Sequence, residues 1–369
     1  MWAVKHTESR EFGRTARFRR DVRGQSRDLG VMKEQLSCRA GGLTQQPGTL
    51  GGQLSERFSS RTDGDVLECP VCHYGKPRFW ASVGKYVYLR CRGCGLVYLK
   101  RTPPASDLES YYNTDFQVDR KRQEKRVAGQ CHPMLRVLEQ LLPGRGRLLE
   151  IGCSYGHFLS MAEADGWVVE GVEISRSAAV WARQNLGLRV HSGTLEEVSP
   201  ELKRPFDAVA MFHVLEHAPE PERLVLQARE FLRPGGILVI RTPNASSWIA
   251  KRCGTTWEWL TPPAHIYLFS PVSLQILLEG AGFRAESIST QRGDAHNTAF
   301  ELARGLSKRI LGHRGLASVA ERPLPSRRSW YRGIEALSDV IYRPFETVEA
   351  FYFRRRQLHP ELLVAARIP

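Results

Sequence analysis

The stretch Leu148-Leu149-Glu150-Ile151-Gly152-Cys153-Ser154-Tyr155-Gly156-His157-Phe158-Leu159 decides the fold of this chain. Its apolar beginning lies between Pro143-Gly144 and Gly152 and predicts a short buried strand, and the apolar spacing from Phe158 onward predicts a helix. A glycine-rich turn joins the two. A strand, turn and helix of this kind brings free backbone N–H groups close to a nucleotide or a nucleotide-like cofactor.

The turn does not carry the fingerprint of a dinucleotide site. That fingerprint needs glycine at positions 152, 154 and 157, whereas the chain has Gly152, Ser154 and His157. Glu150 would repel a pyrophosphate and attract a cation. A second acid, Glu173, closes the next apolar run. Together the two acids favour a ligand with an ammonium, a sulfonium and a ribose diol over one with phosphates.

Strands and helices are predicted to alternate after this turn, which is typical of a parallel sheet covered by helices on both faces. Pro234-Gly235-Gly236 is expected to stop a helix, and the ligand is expected at the carboxyl ends of the strands. The predicted strands are 167–173, 188–191, 206–212, 236–241 and 283–289, and the predicted helices are 175–185, 221–232 and 271–281.

Composition sets broad limits on function. The chain has 369 residues and a formal net charge of +14, which favours association with polyanions unless the excess lies in solvated tails. No apolar run of about 18 residues is present, and no apolar signal core follows the basic N-terminus, so the expected location is cytoplasmic.

Four of the eight cysteines form two Cys-x-x-Cys pairs, Cys69/Cys72 and Cys91/Cys94. Four thiolates in this arrangement, with no open position, predict a structural zinc ribbon. A redox dithiol would need only one pair. His73 is not expected to be a ligand.

The rest of the chain divides by composition and periodicity. An Arg-, Gly- and Ser-rich beginning cannot bury enough apolar area to fold, so we expect a solvated tail; a nucleic-acid-binding arm and a transit peptide are the alternatives. The predicted divisions are a disordered basic tail (1–65), the zinc ribbon (66–102), a helical linker (103–133), a cofactor-binding core (134–292), a helical insertion acting as a cap or a membrane-surface element (293–360) and a last core strand (361–369). Pro133 is a candidate break in the helix that leads into the core.

Three motifs make a family resemblance specific. They are Phe206 to His217, Leu232 to Gly236, and Pro262 to Ser270. They resemble the successive motifs of the class I S-adenosylmethionine-dependent methyltransferases, in the branch of the ubiquinone-biosynthesis O-methyltransferases. More narrowly, they are similar to bacterial members with an N-terminal zinc ribbon, often associated with sugar or cell-envelope modification. The resemblance implies an α/β fold with a Rossmann-like seven-stranded sheet and an antiparallel last strand.

The resemblance also implies cofactor-binding residues. An acid often stands in relatives where this chain has Thr194. The implied set is Glu150, Gly152 and Gly156 at the methionyl end, Ser154 in the same turn, Glu173 at the ribose hydroxyls, Ile174 beside the adenine, Thr194 and Leu195 at the base edge, and Phe212 and His213 beside the sulfonium.

The segment His213-x-x-Glu216-His217 has several interpretations. A zinc peptidase would need this pattern inside a helix, whereas a predicted strand leads into it. Glu216 and His217 could bind a divalent ion together with His265, or could only shape the pocket. Since imidazole titrates near neutral pH, His217 and His265, with Glu216, are the candidate catalytic residues.

The predicted function is in-line methyl transfer from S-adenosylmethionine to a small molecule or glycan, such as a sugar, a lipid-linked molecule or a cell-envelope precursor. One alternative is an RNA methyltransferase that uses the ribbon and a basic surface to bind RNA. The other is an inactive scaffold with a pseudo-methyltransferase domain, which the intact acids and glycines of the turn disfavour.

Overall fold

The computed structural model describes residues 66, 68–104, 106–108, 120–291, 356 and 358–369, with only the backbone for 120–130. The predicted tail (1–65), a large part of the linker and nearly all of the predicted insertion (293–360) lie outside these residues.

The cysteine-rich segment, residues 66–102, is called the cysteine ribbon below and contributes three strands to a small antiparallel sheet. Its strands lie in the order β1-β2-β3-β9. The first three strands come from the ribbon, while the fourth follows about 170 residues later and pairs with β3. The bounds are β1 Arg78–Val83, β2 Tyr86–Arg90, β3 Val97–Leu99 and β9 Tyr267–Leu268.

A seven-stranded sheet forms the centre of the fold, in the order β10-β11-β8-β7-β4-β5-β6. Strands β4 to β8 pair in parallel, and β11 lies antiparallel between β8 and β10. The predicted fold class is therefore confirmed. The bounds are β4 Arg147–Ile151, β5 Val168–Glu173, β6 Val190–Ser192, β7 Phe206–Phe212, β8 Leu232–Pro243, β10 Arg284–Gln291 and β11 Glu361–Arg367.

Helices join the strands, and one turn differs from its prediction. The helix before Pro234-Gly235-Gly236 ends at Phe231, one residue before its predicted end, whereas β8 begins at Leu232, four residues before its predicted start at 236. Leu232 pairs with Phe206 and Ile237 pairs with Ala208, so residues 233–236 form a bulge near the start of β8. The helices are α1 Arg120–Leu141, α2 His157–Ala164, α3 Arg176–Leu186, α4 Leu195–Val198, α5 Pro221–Phe231, α6 Trp248–Cys253 and α7 Pro271–Gly280.

The first helix, α1, continues through Pro133 as a single element, so the predicted interruption is wrong. Ser175 caps α3, because its hydroxyl accepts a hydrogen bond from the Ala178 N–H. Within the described ranges, no helix is both long enough and apolar enough to span a bilayer.

One hydrophobic cluster joins the ribbon to the segment after β8. Tyr88, Val97 and Leu99 of the ribbon pack with Trp257 and Leu268. Tyr88 is fully buried and Trp257 is 2% exposed. Since burying one large apolar side chain contributes about 1.5–3 kcal/mol, this shared cluster stabilises both segments together.

Candidate functional site

The four cysteines predicted as zinc ligands converge on one point. The Cys69 and Cys94 sulfurs lie 3.5 Å apart, as do those of Cys72 and Cys91, and all four sulfurs lie within 4.8 Å of one another. The Gly93 N–H points at the Cys91 sulfur at 3.3 Å, which suits a thiolate. The donor set and its geometry fit a tetrahedral zinc.

The remaining described cysteines lie elsewhere. Cys131, Cys153 and Cys253 are buried and form no disulfide. His73, which was not expected to be a ligand, is exposed at the first cysteine turn with a φ of +55°. The ribbon thus offers a four-sulfur site.

The glycine-rich turn bends through three residues with positive φ: Gly152 at +74°, Ser154 at +49° and Gly156 at +76°. A Cβ on Gly152 would lie 2.4 Å from Cγ2 of Val214, and a Cβ on Gly156 would lie 2.6 Å from Cδ1 of Leu188. Glycine is therefore required at both positions. The contact with Val214 also places the segment after β7 directly against this turn.

Glu173 at the end of β5 bridges two loops. Its carboxylate accepts hydrogen bonds from the Ser154 N–H and the Ser175 N–H, each at 2.7 Å. Burial raises its pKa, and the hydrogen bonds from the backbone of Ser175 and Ser154 offset only part of that rise. The Glu173 carboxylate is therefore fixed beside the glycine-rich turn, as a role in binding the ribose would require.

Glu150 on β4 is 4% exposed, and its Oε2 has no hydrogen-bond partner. Burial, followed by the charge of Glu173, raises its pKa well above the usual value. A buried carboxylate of this kind gains most from a cationic partner. The unpartnered oxygen therefore fits the amino group of S-adenosylmethionine, so the turn and its two acids suit that cofactor.

The remaining predicted cofactor residues differ in their surroundings. Ile174 is 67% exposed, whereas Leu195 is buried. Thr194 caps α4, since its hydroxyl accepts from the Glu197 N–H and donates to the Glu197 carboxylate. The Thr194 hydroxyl is thus used to cap α4, and a contact between Thr194 and the adenine base stays a prediction. Phe212 packs edge-on against Phe158, with ring centroids 4.7 Å apart.

A buried cluster of polar groups follows β7. His213 has a φ of +55°, and its Nδ1 lies 3.0 Å from Oε1 of Glu216. The Thr242 hydroxyl donates to Oε2 of the same carboxylate at 2.9 Å. Burial acts to raise the pKa of Glu216, but the hydrogen bond from His213 and the charges of the histidines outweigh it and lower the pKa to about 2. Glu216 is therefore ionised at neutral pH.

His217 and His265 lie side by side, with ring centroids 4.7 Å apart. Nδ1 of His217 lies 2.9 Å from the Ala264 carbonyl, and Nδ1 of His265 lies 2.6 Å from the Trp259 carbonyl. A carbonyl only accepts, so each Nδ1 carries a proton and Nε2 is the basic nitrogen of the neutral ring. Burial and then the charge of His217 lower the pKa of His265 to about 4.

The three predicted catalytic residues are thus brought together: one ligand atom from each of Glu216, His217 and His265 lies within 4.8 Å of the others. Such a set can hold a divalent ion or an acceptor hydroxyl. His217 lies in a single 3-10 turn after a strand, so the helix that a peptidase motif needs is absent at this position.

Sequence reasoning missed an ion pair that supports this cluster. Arg241 and Glu361 are both buried, and Nε of Arg241 lies 2.5 Å from Oε2 of Glu361. The other carboxylate oxygen, Oε1, lies 3.7 Å from Nε2 of His213. Trp259, which stacks on His213 with ring centroids 5.2 Å apart, was missed as well. An arginine that closes the apolar run of β8 was the available signal for the pair.

The part of the chain that is similar to known proteins contains most strands of the large sheet. Residues 120–288 match the family described as a methyltransferase domain. The ubiquinone biosynthesis O-methyltransferase of Coxiella burnetii is 25% identical over 189 residues, which are 48% of this chain and 80% of the relative. The protein of the same name from Xanthomonas axonopodis pv. citri is 29% identical over 166 residues, or 42% of this chain and 69% of the relative.

Among solved structures, a S-adenosylmethionine-dependent methyltransferase from Thermotoga maritima, described as a possible histamine N-methyltransferase, is 24% identical. The similarity covers 53% of this chain and 83% of that protein, with a TM-score of 0.37.

Proposed function

The chain belongs to the class I S-adenosylmethionine-dependent methyltransferases, and we propose that it methylates a small molecule or glycan held at the cluster of Glu216, His217 and His265. One observation carries the proposal. Val214 lies against Gly152 of the cofactor turn, and the buried polar cluster begins two residues later. The small-molecule acceptors of the ubiquinone O-methyltransferase relatives agree with this class of substrate.

The cofactor, when bound, would supply a methyl carbon that an acceptor atom attacks in line, with the thioether sulfur of S-adenosylhomocysteine as the leaving group. In the proposal, Glu150 accepts a hydrogen bond from the amino group of the cofactor, and Glu173 accepts from the ribose hydroxyls. The positive φ angles of Gly152 and Gly156 allow the backbone to approach the methionyl end closely. Most of the rate enhancement then comes from holding the acceptor in line.

His217 and His265 are proposed to handle the acceptor proton. Because a pKa of about 4 keeps His265 neutral at pH 7, we assign it the role of hydrogen-bonding the acceptor. We assign proton acceptance to Nε2 of His217, whose Nδ1–H is held by the Ala264 carbonyl. The ionised carboxylate of Glu216 would stabilise the positive charge that forms on the histidine.

Structural zinc at Cys69, Cys72, Cys91 and Cys94 is also part of the proposal, since the four sulfurs converge. The zinc would hold together a segment with little core of its own. The proposed boundaries remain those predicted from the sequence: ribbon 66–102, linker 103–133, core 134–292, insertion 293–360 and last strand 361–369.

The test measures binding and transfer separately. Calorimetry with S-adenosylhomocysteine reports the cofactor site, and its failure would favour the inactive scaffold. Transfer of a tritiated methyl group is then compared for a catechol, a sugar nucleotide and unmodified ribosomal RNA. We expect incorporation into a small acceptor, whereas incorporation into RNA alone would favour the RNA methyltransferase.

A matched pair of variants assigns the histidine. His217→Gln should lower methyl transfer by about 100-fold, in the range of general acid–base catalysis, with unchanged binding of S-adenosylhomocysteine. His191→Gln is the control, because His191 lies on β6 and contacts Glu170 and Glu201 instead. Equal rates in both variants would remove His217 from the mechanism. Reactions with and without added Mg²⁺ decide whether the cluster also holds a divalent ion.

A further inference from the structure

We propose that the cysteine ribbon positions the acceptor site: its sheet holds residues 262–270, which carry His265, so that metal binding at the four cysteines orders the histidine cluster. The cofactor turn is held by other strands and is not governed by the ribbon. This inference rests on the proposed function of His265.

The first support for this coupling is strand pairing. β9 is the edge strand that extends the ribbon sheet, with Val97 opposite Leu268 and Tyr98 opposite Tyr267. The Leu99 N–H also donates to the Ile266 carbonyl at 3.0 Å. The ribbon backbone is therefore bonded to the residue directly after His265.

The second support is a buried tyrosine. The hydroxyl of Tyr88, on β2, donates to the carbonyl of His265 at 2.7 Å. Tyr88 is fully buried, so this bond is shielded from water and from competing partners. The ring nitrogen of the same histidine is held by Trp259. The carbonyl of His265 is thus held by the ribbon, whereas its N–H and its ring are held by Thr261 and Trp259 of its own loop.

The third support reaches the proposed metal ligands. The Ser270 hydroxyl donates to the carbonyl of Cys94 at 2.5 Å. Gly95, the next residue, has a φ of +79°, and a Cβ there would lie 3.5 Å from the Ser270 hydroxyl oxygen. The end of residues 262–270 is therefore attached to the second cysteine turn, which carries two of the four proposed metal ligands.

The cofactor turn has different supports. The Gly152 N–H donates to the Val172 carbonyl at 2.7 Å, and the Ser154 N–H donates to Glu173. These partners belong to β5 of the large sheet. The His265 segment also has partners outside the ribbon, since the Ile266 N–H donates to the Glu216 carbonyl and the Ala245 N–H donates to the Phe269 carbonyl. Because a small metal-bound segment loses its structure when the metal leaves, we expect loss of zinc to loosen the His265 segment without detaching it, while the cofactor turn stays formed.

The experiment uses hydrogen exchange on the full chain. Tyr88→Phe keeps the ring and removes only the hydroxyl, so we expect amides in 262–270 to exchange about fivefold faster, the effect of losing about 1 kcal/mol of hydrogen bonding. Tyr86→Phe is the matched control on the same strand, because its hydroxyl donates to Asp107 instead. Zinc content, measured by atomic absorption, should stay the same in both variants.

Cys91→Ser tests the metal itself. We expect this variant to lose zinc and to show a larger rise in exchange across 262–270. The affinity for S-adenosylhomocysteine should stay within about twofold of the parent, below the tenfold that 1.4 kcal/mol represents. In histidine-labelled protein, the ring resonances of His265 should shift in Tyr88→Phe and stay in place in Tyr86→Phe.

Two results would overturn the proposal. One is unchanged exchange in 262–270 for both Tyr88→Phe and Cys91→Ser. The other is equal acceleration in 262–270 and in the cofactor turn, with loss of cofactor binding, which would make the ribbon a support of the whole fold. If the parent protein fails to bind S-adenosylhomocysteine, the proposed function fails, while the exchange measurement still decides the coupling.

Discussion

Replacing the buried carboxylate of Glu150 should strengthen the empty fold and weaken the cofactor site. Burial and the charge of Glu173 raise the pKa of Glu150, so its ionised form destabilises the folded state. By linkage, a raised pKa contributes stability at low pH that is lost as the pH rises through the folded value. Glu150→Gln keeps the shape and removes a group whose burial must be offset either by holding a charge or by taking up a proton, and it should therefore raise the unfolding midpoint at pH 7.

The same change should reduce affinity for the cofactor. Glu150 has one buried oxygen without a partner, which corresponds to one charge-assisted hydrogen bond to the amino group of the ligand. Such a bond contributes about 1.5–3 kcal/mol, or about 10- to 150-fold in Kd. Calorimetry with S-adenosylhomocysteine measures it, because that product has the same amino group and no sulfonium.

Glu170→Gln is the control, since Glu170 is a buried glutamate on the neighbouring strand with cationic partners. Its Oε1 lies 2.9 Å from Arg147 and 3.6 Å from Arg189. Loss of these partly exposed pairs should lower stability by about 1–3 kcal/mol and leave binding unchanged. The reasoning is refuted if Glu150→Gln is less stable than the parent in urea and binds S-adenosylhomocysteine equally well.

Three further predictions concern the turn and the polar cluster. Gly152→Ala should be less stable in urea than Gly187→Ala by at least about 1 kcal/mol, because both have positive φ but only the former brings a Cβ to 2.4 Å from a neighbour; equal losses would mean that backbone strain alone matters. The pair of His213 and Glu216 should stabilise the fold most between pH 4.5 and 6.5, because the pKa of Glu216 is lowered from 4.5 and that of His213 is raised from 6.5. This stabilisation is lost as the pH falls toward 2 and Glu216 is protonated, or as the pH rises through the raised pKa of His213. Thermal unfolding of His213→Gln should therefore depend less on pH than that of the parent protein. Thr242→Val should lower stability by about 1–3 kcal/mol by leaving one oxygen of the buried Glu216 without its donor, and a change in chemical denaturation below about 0.5 kcal/mol would contradict this.

Local patterns predicted the large sheet well. The bounds of β7 at 206–212 match their prediction, because a buried parallel strand is a continuous apolar run with clear ends. Pro234-Gly235-Gly236 indicated the end of the helix but concealed the start of β8, because glycine and proline mark an irregular backbone and do not tell a loop from a bulge in a strand. The confirmed elements are those whose burial is indicated by a pattern of apolar residues adjacent in the sequence.

The site was less accessible to sequence reasoning. His217 and His265 were named from a family motif, and the structure brings them together, but the bond from Tyr88 to His265 spans 177 positions and has no local signal. The positive φ of His213 was equally hidden, because it depends on surrounding packing. Long-range support of a site cannot be deduced from periodicity.

The position of β11 has a consequence for synthesis. Residues 361–367 form an interior strand, between β8 and β10, although they leave the ribosome after every other described strand. Until then, the edge of β8 is open, and Arg241 lacks Glu361, its partner 120 residues further along. The nascent chain therefore carries an unfinished sheet edge beside the proposed active site, which is the kind of surface that molecular chaperones shield.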